Sequence, residues 1–146
     1  METQLNSKPA KQKIKLDFKD AKYATGRRKK SIARVWLKKG SGIMYVNGKK
    51  MEDYFVKQNL QIAIHRAFEL TKRQNEYDVR CSVKGGGLSG QAGALIHGLA
   101  RTLIQFEPET KPILKKEKLT TRDSRTVERK KYGHRKARRS FQFSKR

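Results

Sequence analysis

The chain reads YDVRCSVK from Tyr77 to Lys84, with apolar and polar residues in alternation. Tyr77, Val79, Cys81 and Val83 would therefore share one face, the period-two pattern of a strand buried on one side. Cys81 falls in this apolar set, so we interpret it as a small buried hydrophobe rather than a nucleophile.

A glycine-rich link and a helix are predicted to follow this strand. Residues 85–90 read GGGLSG, and the helix is expected from about Gln91 to Phe106. Its apolar stripe at helical spacing comprises Ala92, Leu95, Ile96, Leu99, Leu103 and Phe106. Gly93 and Gly98 within the helix predict a close approach of another backbone.

A second strand is predicted upstream, over residues 31–38 (SIARVWLK), where apolar and polar residues alternate again. Trp36 on its polar side would cover part of the second face of the sheet. The turn at residues 39–42 and the Asn47-Gly48 dipeptide predict that residues 31–47 form a hairpin.

Three helical segments are predicted around these strands. Leu60 to Arg73 carries an apolar stripe and should pack on the sheet, and a short helix is expected around Met51 to Phe55. Residues 107–121 contain two prolines and at most a short helix around Ile113 to Leu119. The elements together predict a single domain ahead of the tail.

Basic residues are concentrated at two further places. Tyr23 to Lys30 (YATGRRKK) ends in four consecutive cations and is interpreted as a phosphate-contacting loop. Residues 122–146 form a basic tail with eleven Lys or Arg against two acids, interleaved with aromatic and small residues. Such a tail is expected to be disordered alone and ordered by a polyanion. Residues 1–22 are interpreted as a flexible basic extension.

The composition points to a nucleic-acid partner. The formal net charge is +24, and the 121 residues before the tail are themselves basic, with 26 Lys or Arg against 11 acids. A lone cysteine excludes an internal disulfide and fits a reducing compartment. With no secretory signal and no apolar run long enough to cross a membrane, we expect a soluble intracellular protein.

An enzymatic function has one candidate motif, the Gly85-x-Gly87-x-x-Gly90 pattern of dinucleotide-binding loops. No second strand ending in an acid is predicted after the helix, so the context of that fingerprint fails. The lone histidines and the glutamates of the polar connector form no catalytic constellation. The glycine loop keeps two interpretations, a phosphate-binding helix N-terminus and a purely structural turn.

Three long motifs carry a family resemblance: YATGRRKKSIARVWLKKGSG from Tyr23, VKGGGLSGQAGALIHGLARTL from Val83, and TRDSRTVERKKYGHRKARRSFQFSKR from Thr121. They resemble the ninth protein of the small ribosomal subunit in its bacterial and organellar form. The wording ERKKYG, ARRSFQFSKR and FEPE is most similar to the alphaproteobacterial and mitochondrial branch, although many bacterial relatives have proline where Phe141 stands.

The resemblance implies a non-catalytic protein that needs no cofactor or metal. It implies a two-layer α+β domain over residues 23–121, a mixed sheet with helices on one face, with an extended basic tail. The domain would be seated on the 3′ major domain of small-subunit rRNA in the subunit head. Its partners would be this rRNA, peptidyl-site tRNA and neighbouring head proteins, in a ribosome of the bacterial cytoplasm or the mitochondrial matrix.

Specific residues are expected to make these contacts. The tRNA-binding residues would be Ser144, Lys145 and Arg146 at the end of the tail. The rRNA-binding residues would be Arg27, Arg28, Lys29, Lys30, Gly85, Gly86, Gly87, Arg122, Arg125, Arg129, Lys130, Lys131, Arg135, Lys136, Arg138 and Arg139. The alternative is a free-standing nucleic-acid-binding protein, such as a DNA-compacting factor or an RNA chaperone.

Overall fold

A computed structural model describes residues 18–144. Five strands form one sheet: β1 (Lys22–Arg28), β2 (Ser31–Lys39), β3 (Met44–Val46), β4 (Lys49–Lys50) and β5 (Tyr77–Lys84). The helices are α1 (Met51–Tyr54), α2 (Gln58–Leu70), α3 (Leu88–Phe106) and α4 (Lys111–Lys116), with a 3₁₀ turn at Pro108–Thr110. This is the predicted α+β class.

The sheet is mixed, with strand order β1-β2-β5-β3-β4. β5 is its centre, antiparallel to β2 on one side and parallel to β3 on the other. The alternation in β2 and β5 predicts the buried face correctly, because Val35, Leu37, Val79 and Cys81 are each at most 3% exposed. The two long helices cover this face, with α3 against β1 and β2 and α2 packed beside α3.

The predicted hairpin over residues 31–47 is wrong, because β5 lies between β2 and β3. The connecting loop crosses the end of β5, where the carboxylate of Asp78 accepts hydrogen bonds from the backbone amides of Ser41 (2.9 Å) and Ile43 (3.0 Å). β3 therefore joins the far edge of β5, and the Asn47-Gly48 turn connects β3 to β4 instead.

The loop predicted over Tyr23 to Lys30 is also wrong in most of its length. Residues 22–28 form the edge strand β1, and only Lys29 and Lys30 lie in the turn that joins it to β2. The outer edge of β1 is covered by α3, since Arg101 donates to the carbonyl of Thr25 (2.6 Å) and the amide of Arg27 donates to Nδ1 of His97 (3.3 Å). These side chains protect an edge that would otherwise be open to another strand.

The predicted helices are present with shifted ends. α3 begins at Leu88, directly after Gly87, and α2 ends at Leu70. The close backbone approach predicted from Gly98 is confirmed, because a Cβ there would lie 3.3 Å from the amide nitrogen of Gly26. The same prediction for Gly93 is wrong, because its close neighbour is the side chain of Arg28. No helix within residues 18–144 is long and apolar enough to span a membrane.

Candidate nucleic-acid interface

The β1–β2 turn and the glycine loop meet at one end of the sheet. The hydroxyl of Ser31, only 1% exposed, donates to the carbonyl of Gly85 (3.0 Å) and ties the two segments together. A Cβ on Gly85 would lie 2.5 Å from the carbonyl oxygen of Lys30, so the two backbones are in direct contact. The exposed Lys29 and Lys30 therefore lie beside residues 85–87.

The glycine loop leads directly into the N-terminus of α3. Gly85 and Gly86 have φ angles of +74° and +60°, a conformation that glycine adopts at little cost. Gly87 precedes the helix without any side-chain capping hydrogen bond. The first amides of a helix lack intrahelical acceptors, so this end can hold an anion, and two lysines stand next to it.

The four consecutive cations from Arg27 to Lys30 do not lie together in one loop. Alternation along β1 directs Arg27 to the face opposite the helices, while the Arg28 side chain lies over Gly93 of α3. The guanidinium of Arg28 forms an ion pair with Asp123 (3.3 Å), the second residue of the tail. The Nε of Arg28 is buried and has no hydrogen-bond partner among residues 18–144.

His97 is a residue of this region that the sequence did not identify as functional. Its ring accepts the amide hydrogen of Arg27 and makes a backbone hydrogen bond with Thr120, linking β1 to the segment that leads into the tail. Burial lowers the pKa of His97 below its ordinary value, and the nearby Arg101 and Arg122 lower it further. A single histidine within a helix is too weak a signal to identify this role from the sequence.

A small cavity lies where the tail leaves the body. It is lined by Arg27, Arg28, Gly93, Ile96, His97, Lys118, Leu119, Thr121 and Asp123. Asp123 is its acid, and hydrogen bonds from Arg125 hold the pKa of that carboxyl well below its ordinary value, with Arg28 adding to the effect. The carboxylate is thus charged at neutral pH and fixes the start of the tail against β1.

The tail is mostly exposed over residues 122–144 and contains no helix or regular strand, but an isolated antiparallel β-bridge between His134 and Ser140 folds residues 134–140 into a loop. Its two acids are both engaged, Asp123 with Arg125 (2.8 Å) and Glu128 with Arg138 (2.6 Å). The guanidinium of Arg135 lies 5.5 Å from the centre of the Phe141 ring. Within the described chain the following tail cations have no acidic partner: Arg122, Arg129, Lys130, Lys131, Arg135, Lys136 and Arg139.

The end of the tail is described only as far as Ser144. Lys145 and Arg146, two of the three expected tRNA-binding residues, lie outside the described residues, as do residues 1–17 of the expected N-terminal extension.

The glycine loop is not part of a dinucleotide-binding unit in this fold. β5 pairs antiparallel with β2, and over residues 107–144 α3 is followed by the 3₁₀ turn, α4 and the exposed tail rather than by a parallel strand. Across residues 18–144, no cluster of three or more His, Cys, Asp or Glu side chains is placed to bind a metal ion.

The sequence of the body and tail matches a known family. A family model described as ribosomal protein S9/S16 covers residues 26–146, which include the β1–β2 turn, the glycine loop and the whole tail. The chain belongs to the ribosomal protein S9/S16 family. Membership makes it a structural, RNA-binding constituent of the small ribosomal subunit that acts in translation. The S9/S16 family is of a structural, non-enzymatic kind, and the ribosome is its location.

Proposed function

We propose that this S9-type protein binds the 3′ major domain of small-subunit rRNA in the subunit head through two separate binding sites. The first is the body site formed by Lys29, Lys30 and residues 85–87 at the N-terminus of α3, with Arg27 and Arg28 on the adjoining strand. The observation that carries this proposal is the direct backbone contact of the lysine turn with the glycine loop. Phosphate contacts of this kind position a protein without reading sequence.

The second binding site is the tail, which runs along rRNA and bridges phosphates of separate rRNA segments. Its exposure and its cations without acidic partners support this role, since guanidinium groups bind phosphate in a bidentate manner. The residues that make these contacts are Arg122, Arg125, Arg129, Lys130, Lys131, Arg135, Lys136, Arg138 and Arg139. Arg125 and Arg138 exchange their carboxylate partners for phosphate when RNA binds.

The last residues of the tail, Ser144, Lys145 and Arg146, contact peptidyl-site tRNA in this proposal. The terminal carboxylate beside them is an anion and offsets part of their attraction for tRNA phosphates. Their contribution to tRNA retention is therefore modest. The proposed contacts are the same for a ribosome of the bacterial cytoplasm and for one of the mitochondrial matrix.

The body site is tested by salt-dependent binding to a 3′ major domain transcript. A Lys29→Ala/Lys30→Ala variant should bind more weakly and should reduce the slope of log K against log salt by roughly one for each phosphate that is no longer neutralised. The matched control is Lys115→Ala/Lys116→Ala, which removes an adjacent exposed pair from α4. Equal losses of affinity in both variants would indicate non-specific attraction, and equal affinity for duplex DNA would favour a free-standing nucleic-acid binder.

The tail is tested in ribosomes by sucrose-gradient fractionation. A chain ending at Gln142 should enter small subunits like the full-length chain but release peptidyl-site tRNA somewhat faster. If the full-length chain does not sediment with small subunits, the proposed function is wrong.

A further inference from the structure

The sheet face that carries no helix bears a row of aromatic and cationic side chains. In the strand register Tyr23 is paired with Trp36, Trp36 with Arg80, Arg80 with Tyr45, and Tyr45 with Lys50. The row therefore crosses all five strands at the same level. It lies on the face opposite the core, because the residues on either side of Trp36, Arg80 and Tyr45 along their strands are buried.

The centre of this row is built from aromatic contacts. The rings of Tyr23 and Trp36 have centroids 5.2 Å apart and are tilted by 39°. The guanidinium carbon of Arg80 lies 5.7 Å from the centre of the Trp36 ring. Tyr23 is 41% exposed although it lies beside another aromatic ring, and Trp36 is only half-buried. Flat ring surface thus remains accessible to a partner.

The charge around the row is positive. Exposed Arg34 and Lys84 lie on the same face, one and two levels along the strands from the aromatic row. The nearby acid on this face, Asp78, is already occupied by the amides of Ser41 and Ile43. An aromatic platform flanked by free cations is complementary to unpaired nucleotides, whose bases stack and whose phosphates need positive charge.

We propose that this open face is a second RNA-binding surface, on which Tyr23 and Trp36 stack unpaired bases of rRNA while Arg34 and Arg80 contact the flanking phosphates. The inference rests on the proposed function, since it takes rRNA as the nucleic acid that the protein meets. It adds a surface on the opposite side of the sheet from α3. It also gives a role to Trp36, whose side chain lies outside the core and shares the open face with Arg34 and Arg80.

Trp36 provides a direct readout because it is the single tryptophan of the chain. The full-length protein is titrated with a transcript of the 3′ major domain while filter binding and tryptophan emission are both recorded. The emission should be quenched and should saturate with the same dissociation constant as filter binding, because a stacked base quenches the indole. Unchanged emission during saturable binding would overturn the proposal.

Substitutions at Tyr23 separate stacking from packing. Tyr23→Phe retains a ring and should keep the affinity, whereas Tyr23→Leu should lower it by about tenfold, since each base stacked on an aromatic ring contributes measurably to binding. The slope of log K against log salt should not change, because the cations that neutralise phosphates are all retained. Val56→Ala, which trims a side chain that is 77% exposed outside the sheet, is the control and should bind like the wild type.

The outcomes distinguish this inference from the proposed function. If the wild type binds the transcript but Tyr23→Leu binds equally well, the open face does not contact RNA and instead suits a protein partner, while the proposed function stands. If the wild type does not bind the transcript at all, the proposed function fails, and this inference fails with it. Thermal melting of each variant confirms that affinities are compared between folded proteins.

Discussion

The backbone of Gly26 in β1 lies directly against the backbone of Gly98 in α3. A Cβ on Gly98 would lie 3.3 Å from the amide nitrogen of Gly26, and a Cβ on Gly26 would overlap the backbone of Ala94 and Gly98. The missing side chains let the helix approach the sheet at backbone distance. This seating of α3 also places its N-terminus beside the lysine turn.

Replacing Gly26 with alanine should destabilise the protein by about 3 kcal/mol or more, because the added methyl group meets backbone atoms that cannot move independently. Urea denaturation measures the loss of stability. Gly87→Ala is the control, since its added Cβ meets no atom within 4 Å apart from its own chain neighbours. It should cost less than about 1 kcal/mol, reflecting only the poorer N-cap preference of alanine. Equal losses would show that the close approach is not the cause.

The side chain of Asn47 continues the hydrogen bonding between β3 and β5 past the end of β3. Its side-chain amide donates to the carbonyl of Val83 (3.1 Å), and its side-chain oxygen accepts the amide hydrogen of Val83 (2.9 Å). Asn47→Gly keeps the left-handed φ of +50° without strain and removes only these bonds. We expect a loss of about 2 kcal/mol in urea denaturation.

The matched control for Asn47→Gly is Asn75→Gly, at an exposed position with a φ of +62°. Its stability should stay within about 0.5 kcal/mol of the wild type, as for most surface substitutions. Similar values for the two variants would contradict a stabilising role for the Asn47 hydrogen bonds.

His97 should make the folded state less stable in mild acid. Burial lowers its pKa in the folded protein below the ordinary 6.5, so below about pH 6.5 the unfolded chain binds a proton that the folded chain does not. The free energy of unfolding should therefore fall as the pH decreases from 6.5 towards the folded-state pKa. Urea denaturation at a series of pH values measures this decline.

Two histidine variants test the assignment. His97→Asn does not titrate, and its amide oxygen can accept the Arg27 amide hydrogen in place of Nδ1, so this decline should become smaller. His134→Asn, which changes the histidine of the tail, should retain it. A decline that is unchanged in His97→Asn would assign the effect to other groups.

Cys81 should be unreactive in the folded protein. Burial raises the pKa of its thiol to about 12 from an ordinary 9.0, and the thiolate is the reactive species. At pH 8 a thiol-specific reagent should label the folded chain at least about a hundredfold more slowly than the urea-unfolded chain. An added Ser124→Cys thiol on the exposed tail should react at once, and equally slow labelling there would point to a fault in the reagent rather than to burial.

Local patterns in the sequence predict those elements whose side chains alternate or repeat around a buried face. The strand at Tyr77–Lys84 and the burial of Val35 and Leu37 follow from period-two alternation, and the long helix α3 follows from its apolar stripe. The tail is predicted by composition alone, since so many like charges cannot form a core.

The strand partners could not be predicted in the same way. A turn dipeptide favours the nearest pairing, yet β5, more than 30 residues further along the chain, lies between β2 and β3 because Asp78 ties the intervening loop across its end. The edge strand β1 could not be recognised from the sequence for a similar reason. Its glycine and arginines are typical of a loop, and only the fold places Gly26 against Gly98.

The sequence by itself determined the inward faces of β2 and β5, the helix α3 and the basic tail, because these depend on periodicity and charge within one segment. Only the tertiary structure decided that Lys29 and Lys30 meet the glycine loop, that Arg28 turns to Asp123, and that an aromatic row crosses the open face. These features join segments that are far apart in the chain. Their formation depends on strand order and on the close seating of α3, which no local pattern specifies.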